Sequence, residues 1–191
     1  WEWPSGMVLY TGTNWTSEGL AEPFAVKGTD VIVPEGSYDG WEAAFVLTTD
    51  ASAPISLDAR TNFGSFLSGN SVSATSGMTV RRGSSFTASL RLGYNDVSLP
   101  EGAFETKLVG MNFGYFFNPR IYLQSLVQYS DQIDRLSANL RFGWLNTAGT
   151  GLFIVYNDIQ GFEDVVTGMV SGPLGRSFTI KYNRQLNVLG S

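Results

Sequence analysis

Leu136-Ser-Ala-Asn-Leu-Arg-Phe-Gly-Trp144 alternates with a period of two. Leu136, Ala138, Leu140, Phe142 and Trp144 fall on one side, and Arg135, Ser137, Asn139, Arg141 and Gly143 on the other. Successive side chains of an extended chain point to opposite faces, so this pattern predicts a strand with one oily and one polar face. Most of the chain holds the same phase for ten residues or more. Strands of soluble domains usually run about five or six residues, whereas a tilted strand needs about nine to eleven to cross a bilayer. The repeated length predicts an all-β chain, an antiparallel up-and-down transmembrane β-barrel.

Working outward, Trp41, Ala43, Phe45 and Leu47 alternate with Glu42, Ala44, Val46 and Thr48, and Ile55, Leu57 and Ala59 with Ser56, Asp58 and Arg60. Phe86 to Tyr94, Lys107 to Phe117, Ile121 to Tyr129, Gly151 to Asp158 and Arg176 to Val188 continue the series. Gly69 to Val80 is the most polar member, with a phase shift near Ser76-Gly77 that reads as a bulge. Turns are expected at Asp50 to Pro54, Arg81 to Ser84 and Asn118-Pro119. A longer loop is expected over Asp96 to Gly102, and the longest connection over Gly161 to Gly175. About 8–10 strands are expected in this chain, closing by themselves or forming part of a larger barrel. Residues 1–40 read as an irregular lead-in with one or two short strands, because Pro23, Pro34 and several glycines interrupt them. Residues 41–191 read as barrel strands. The opening Trp1-Glu-Trp-Pro-Ser-Gly6 lacks the basic start and apolar stretch of a leader, so the chain is expected to be one piece of a longer polypeptide.

Composition narrows the function. Of 191 residues, 43% are apolar and 14% aromatic, which suits a barrel whose lumen is polar and whose rims are aromatic. No run approaches 18 apolar residues, the length of a membrane-spanning helix. The net charge of −5 and a pI near 4.6 argue against nucleic acid, which calls for a basic face. The chain has no cysteine and no histidine. The usual zinc, copper and haem ligand sets and the Ser-His-Asp and Cys-His centres are therefore excluded.

Of the strand residues, Asp58, Arg60, Arg91, Arg141 and Lys181 are expected to face the lumen. There the arginines either form a basic patch for anions or sugars or pair with Asp58, Glu42 or neighbouring carboxylates. The second outcome is favoured for a narrow barrel filled by side chains. Trp41, Tyr94, Tyr115, Tyr129, Trp144 and Tyr156 are expected at the membrane interfaces, towards strand ends. Trp1, Trp3 and Trp15 are placed in the lead-in, away from the regular strands. The carboxylate pairs Glu101/Glu105, Asp131/Asp134 and Glu163/Asp164 fall in turns, where solvated acids normally lie. No catalytic residue, metal ligand or cofactor is expected, and no enzymatic activity.

Four segments carry a family resemblance. They are Tyr94-Asn-Asp-Val-Ser-Leu-Pro-Glu-Gly-Ala-Phe104, Phe117-Asn-Pro-Arg-Ile-Tyr-Leu-Gln-Ser-Leu-Val-Gln-Tyr129, Leu136 to Trp144, and Leu152-Phe-Ile-Val-Tyr-Asn157. Ile32-Val-Pro-Glu-Gly-Ser-Tyr38 and Arg176-Ser-Phe-Thr-Ile-Lys-Tyr182 fit the same region. Together they resemble the C-terminal β-barrel region of large uncharacterised bacterial outer-membrane proteins that carry an N-terminal domain similar to family-nine carbohydrate-binding modules. The resemblance implies a barrel in the outer membrane of a Gram-negative cell. It would serve as a membrane anchor or wall element of a larger assembly and could pass small solutes. The lipid bilayer is the expected partner, with other subunits or an upstream segment of the same polypeptide. A secreted β-domain that binds carbohydrate through exposed aromatics is the alternative.

Overall fold

The computed structural model describes residues 1–26, 29–146, 150–162 and 172–184. The strands are β1 (Val8–Leu20), β2 (Phe24–Ala25), β3 (Ile32–Val33), β4 (Gly36–Thr48), β5 (Ile55–Phe66) and β6 (Gly69–Arg82). They continue with β7 (Phe86–Leu99), β8 (Gly102–Asn118), β9 (Ile121–Ser130), β10 (Arg135–Leu145), β11 (Gly151–Gly161) and β12 (Gly172–Asn183). Ten of them form one antiparallel sheet in the order β1-β4-β5-β6-β7-β8-β9-β10-β11-β12, and β2 and β3 form a separate hairpin. The fold is all-β, and the large sheet is an open meander. Among the described residues neither β1 nor β12 has a second neighbour. No helix is long and apolar enough to cross a membrane, which says nothing of strands.

The expected lead-in is corrected. β1 is a full strand of 13 residues, paired with β4 from Val8↔Thr48 to Leu20↔Gly36. Its Thr, Ser and Gly content hides the alternation, and Pro23 and Pro34 lie beyond its end, where they interrupt no ladder. The regular sheet therefore includes Val8 to Leu20 and resumes at Gly36 rather than Trp41. Trp15 lies within it, directly opposite Trp41.

The expected loop over Asp96 to Gly102 is shorter than predicted. β7 continues to Leu99 and β8 starts at Gly102, where a φ of +150° is easy only for glycine. At Asn118 the side-chain carbonyl accepts the amides of Arg120 (2.9 Å) and Ile121 (3.0 Å), which closes the β8–β9 turn. β12 starts at Gly172, earlier than Arg176, with a register shift opposite Ile159/Gln160. Pro173 cannot donate to the ladder, so a bulge there costs little. Val188 and much of the Gly161–Gly175 connection lie outside the described residues.

The chain divides into two compact units. Unit 1 comprises Trp1–Thr79, Arg91–Val109 and Ser130–Ile133, and unit 2 comprises Val80–Leu90, Gly110–Tyr129 and Asp134–Ser191. In unit 1 the register places Leu9/Leu47/Ala59, Thr11/Phe45/Thr61, Thr13/Ala43/Phe63 and Trp15/Trp41 on one face. Val8/Thr48/Asp58, Tyr10/Val46/Arg60, Gly12/Ala44/Asn62 and Asn14/Glu42/Gly64 lie on the other. In unit 2 the rows Leu140/Tyr156/Phe178, Phe142/Ile154/Ile180 and Trp144/Leu152/Tyr182 share one face. Asn139/Asn157/Ser177, Arg141/Val155/Thr179 and Gly143/Phe153/Lys181 share the other.

Little is buried. The buried hydrophobics are Val31, Val33, Ala43, Val97 and Leu99. Four of them, Val31, Val33, Val97 and Leu99, form a small core in unit 1, with Leu20, Val26, Tyr38 and Phe104 packed against it. The β2–β3 hairpin supplies Val31 and Val33. It packs where Leu20 and Tyr38 lie, on the polar-face side of β1 and β4 by register, and the Tyr38 hydroxyl donates to the Pro34 carbonyl at 2.8 Å. The hairpin therefore leaves the apolar face uncovered: Trp15, Trp41, Phe45 and Leu47 remain exposed there, as do Phe178, Ile180 and Tyr182 in unit 2.

Candidate functional site

The polar faces carry the charged residues singled out by periodicity, but in two different settings. In unit 1, Arg91 lies 3.9 Å from Asp58, which puts the two on one face. The Arg60 side chain donates through Nε to Asn62 Oδ1 at 3.2 Å. Asp58 also lies against Gly77, where an added Cβ would come within 2.3 Å of the carboxylate. A side chain at that position would displace the acid that Arg91 faces. Arg91 thus has a carboxylate partner within the sheet, and Arg60 is held by a neutral amide.

In unit 2, Arg141 has no carboxylate within ion-pairing distance among the described residues. Its guanidinium lies over two rings, Tyr122 at 5.9 Å and Phe153 at 5.7 Å. A cation above an aromatic face is attracted by the ring quadrupole without being neutralised. Lys181 follows two residues after Thr179, the cross-strand partner of Val155, which itself faces Arg141. It is likewise without a carboxylate partner among the described residues. The acid nearest in sequence register, Asp158, belongs to the opposite face with Ala138 and Arg176. It pairs with Arg176 there at 3.2 Å.

A recess of about 460 Å³ opens on the polar face of β10, β11 and β12. Arg141, Lys181, Asn139, Thr179, Asn183 and Phe153 line it. Asn139 donates to Asn157, and Asn157 Nδ2 donates to Ser177 Oγ at 2.9 Å. This side-chain ladder crosses all three strands and holds one side of the recess. Alternation placed Arg141, with Asn139 beside it, and Lys181 on polar faces, but it did not reveal Asn157, Phe153 or Tyr122 next to them. Their common face follows from the β10–β11–β12 register, and the only trace in the sequence is the polar residue two places before each cation.

The aromatic residues divide similarly. Trp41 meets Phe63 edge to face at 6.1 Å and faces Trp15, which is 70% exposed, across the β1–β4 ladder. Tyr94 is half-buried. Tyr115 packs edge to face on Phe117 at 4.8 Å, and Tyr129 on Phe162 at 5.7 Å. Trp144 stands in the last apolar row, near the end of β10. Trp41, Tyr94 and Tyr156 depart from the expected strand-end position: they lie well inside β4, β7 and β11, with Tyr156 opposite Leu140 and Phe178. The next row along is polar (Ala138, Asp158, Arg176), and the Tyr156 hydroxyl donates to Asp158 at 3.1 Å. The strands continue past the apolar band, so its border and the strand end do not coincide.

The turn carboxylates have structural partners. Glu101 accepts the Ser68 hydroxyl at 2.6 Å. Glu105 pairs with Lys107 at 3.1 Å. Asp131 accepts the Lys107 amide and Asp134 the Tyr129 hydroxyl. Glu163 and Asp164 lie outside the described residues. Among the described residues no three carboxylates gather in a way that could hold a metal ion.

Comparison of the chain with protein-family models, with curated proteins and with solved structures finds no match.

Proposed function

We propose that this chain is a transmembrane β-barrel protein of a bacterial outer membrane, serving as a membrane anchor or as a wall element of a larger assembly, with a lumen that admits small solutes. One observation carries the reading. The triplets β1-β4-β5 and β10-β11-β12 each present apolar rows on one face, and among the described residues no second layer covers them. A soluble sandwich would seal such a face with another sheet. Here the one further element among the described residues, the β2–β3 hairpin, packs on the polar side.

Strand length supports the same reading. The apolar rows of β4 from Trp41 to Leu47 span about 20 Å at about 3.3 Å per residue. In β10 the apolar rows run from Leu140 to Trp144, about 13 Å, bordered by the Ala138/Asp158/Arg176 row. The ten strands of the sheet are 10 to 17 residues long, enough for a tilted strand to cross a bilayer, which takes about nine to eleven. The sheet has an even number of antiparallel strands, as bacterial single-chain barrels do. Closure would come from β1 and β12 pairing with each other, or from strands of an upstream segment or another subunit. The resemblance of Tyr94–Phe104 and Phe117–Tyr129 to the barrel region of large outer-membrane proteins points the same way.

Membrane fractionation of the untagged protein tests this. It should sediment with outer membranes, resist carbonate extraction and require detergent for release. Monomeric protein in detergent-free buffer would overturn it.

A secreted carbohydrate-binding domain remains the second reading, because Trp15 and Trp41 form an exposed cross-strand aromatic pair that a sugar ring could cover. That reading requires a soluble protein whose glycan binding is lost in the Trp15→Ala variant.

A further inference from the structure

We propose that the recess on the polar face of β10, β11 and β12 is a binding site for a small solute bearing an oxyanion group, a carboxylate or a phosphate. The protein as a whole is acidic, with a net charge of −5, yet this face of the three strands holds three cations, Arg135, Arg141 and Lys181, and no acid, and the last two line the recess. Along β10 it carries Arg135, Ser137, Asn139, Arg141 and Gly143. Along β11 it carries Asn157, Val155 and Phe153, and along β12 Ser177, Thr179, Lys181 and Asn183. Asp158 and Arg176 satisfy each other on the reverse side.

By register, two strand spacings and two residues separate Arg141 from Lys181, about 12 Å between Cα atoms. Both side chains line the same recess, and each is long enough to lean towards a ligand between them. Arg141 is held over Phe153 and Tyr122, so its orientation costs little further entropy on binding. A planar guanidinium presents paired N–H groups that match a carboxylate or phosphate edge. Lys181 adds a second, mobile positive charge. Asn139, Asn183 and Thr179 offer neutral hydrogen bonds to the body of the solute, and Phe153 offers an apolar floor. The volume of about 460 Å³ is that of a small-molecule site.

The contrast with unit 1 argues for function. There Arg91 has the Asp58 carboxylate and Arg60 is tied to the Asn62 amide. Two cations that line one recess with no carboxylate partner among the described residues are the feature that a polar filling would avoid.

The inference rests on the recess and not on the membrane reading. It is measured on the folded chain in whichever of buffer or detergent micelles fractionation shows to be right. A soluble protein that binds would keep this inference and lose the other. Inorganic phosphate and glucuronate are titrated calorimetrically, with glucose as the neutral control. Phosphate and glucuronate should compete for one site, weaken as salt is raised, and lose at least tenfold in affinity in R141Q and in K181Q. K107Q removes a cation from unit 1 and should leave affinity unchanged. R141K should retain part of the binding, because charge survives without the paired donors. K181Q changes an exposed residue of the edge strand β12, so its fold is expected to persist, which circular dichroism checks. Unchanged affinity in R141Q or in K181Q, no saturable binding of either anion, or glucose binding as well as glucuronate would each overturn the proposal.

Discussion

The strands β1, β4 and β5 and the strands β10, β11 and β12 solve the same problem differently. Each triplet has one apolar and one polar face, and each contains an edge of the sheet. In the first, polar-face charges find partners within the sheet, and a hairpin core closes over one end. In the second, the polar face keeps Arg141 over two aromatic rings with Lys181 and an amide ladder beside it, while its ion pair sits at the border of the apolar face. Alternation is clean in β4 of the first and in β10 of the second. The difference arises from which residues the register sets opposite one another, and it separates a filled interior from an open site.

The sharpest way to break the comparison is to put a charge into each apolar face. Ile180→Arg and Phe45→Arg change residues that are 59% and 48% exposed. In water such changes stay within about 0.5 kcal/mol. In a bilayer each should cost about 2–4 kcal/mol near the midplane, read from urea unfolding in lipid vesicles. A loss for Phe45→Arg alone would confine the membrane-facing band to the first triplet.

Glycines sharpen it next. A Cβ at Gly64 would lie 2.2 Å from the Trp41 carbonyl oxygen, at a φ of +149°. Gly64→Ala should therefore cost about 2–3 kcal/mol. At Gly143 the obstacle is the Tyr122 ring, 2.3 Å away, and a ring can turn. Gly143→Ala should cost less in denaturant midpoint but weaken anion binding, since it moves the platform under Arg141.

Val33 belongs to the core that only the first triplet has, and it is fully buried. Val33→Ala should cost about 1–2 kcal/mol and should leave anion binding at β10–β12 unchanged.

The smallest effect concerns Asp50, in the β4–β5 turn. The Ser52 hydroxyl at 2.7 Å and the Ser52 amide at 2.8 Å both donate to its carboxylate. These bonds hold its carboxyl below the ordinary value of 3.8. A lowered folded value means that the contribution to stability is complete above the ordinary value and is lost as pH falls through the folded one. Ser52→Ala should flatten this part of the acid limb below about pH 4, and the NMR titration of the Asp50 side chain should move upward.

Much of this was legible beforehand. Leu136 to Trp144 announced extended chain with two unlike faces, and the short polar interruptions at Asp50, Gly83 and Asn118 marked the turns of a meander. β1 was not legible, because Thr11, Gly12, Thr13 and Asn14 carry too little contrast between faces. Its strand character follows from pairing with β4, whose backbone groups it satisfies. Tyr156 was misplaced for a related reason: strand ends can be read from turn residues, but the border of an apolar band depends on neighbours two strands away.

The sequence by itself determined that the chain forms long two-faced strands, because side-chain direction along an extended backbone depends only on parity. It also excluded histidine and cysteine chemistry outright. Tertiary structure alone decided which charges meet, since that depends on the register between strands distant in sequence. Asp58 therefore faces Arg91 and Asp158 faces Arg176, while Arg141 and Lys181 share a recess in which no described residue is an acid.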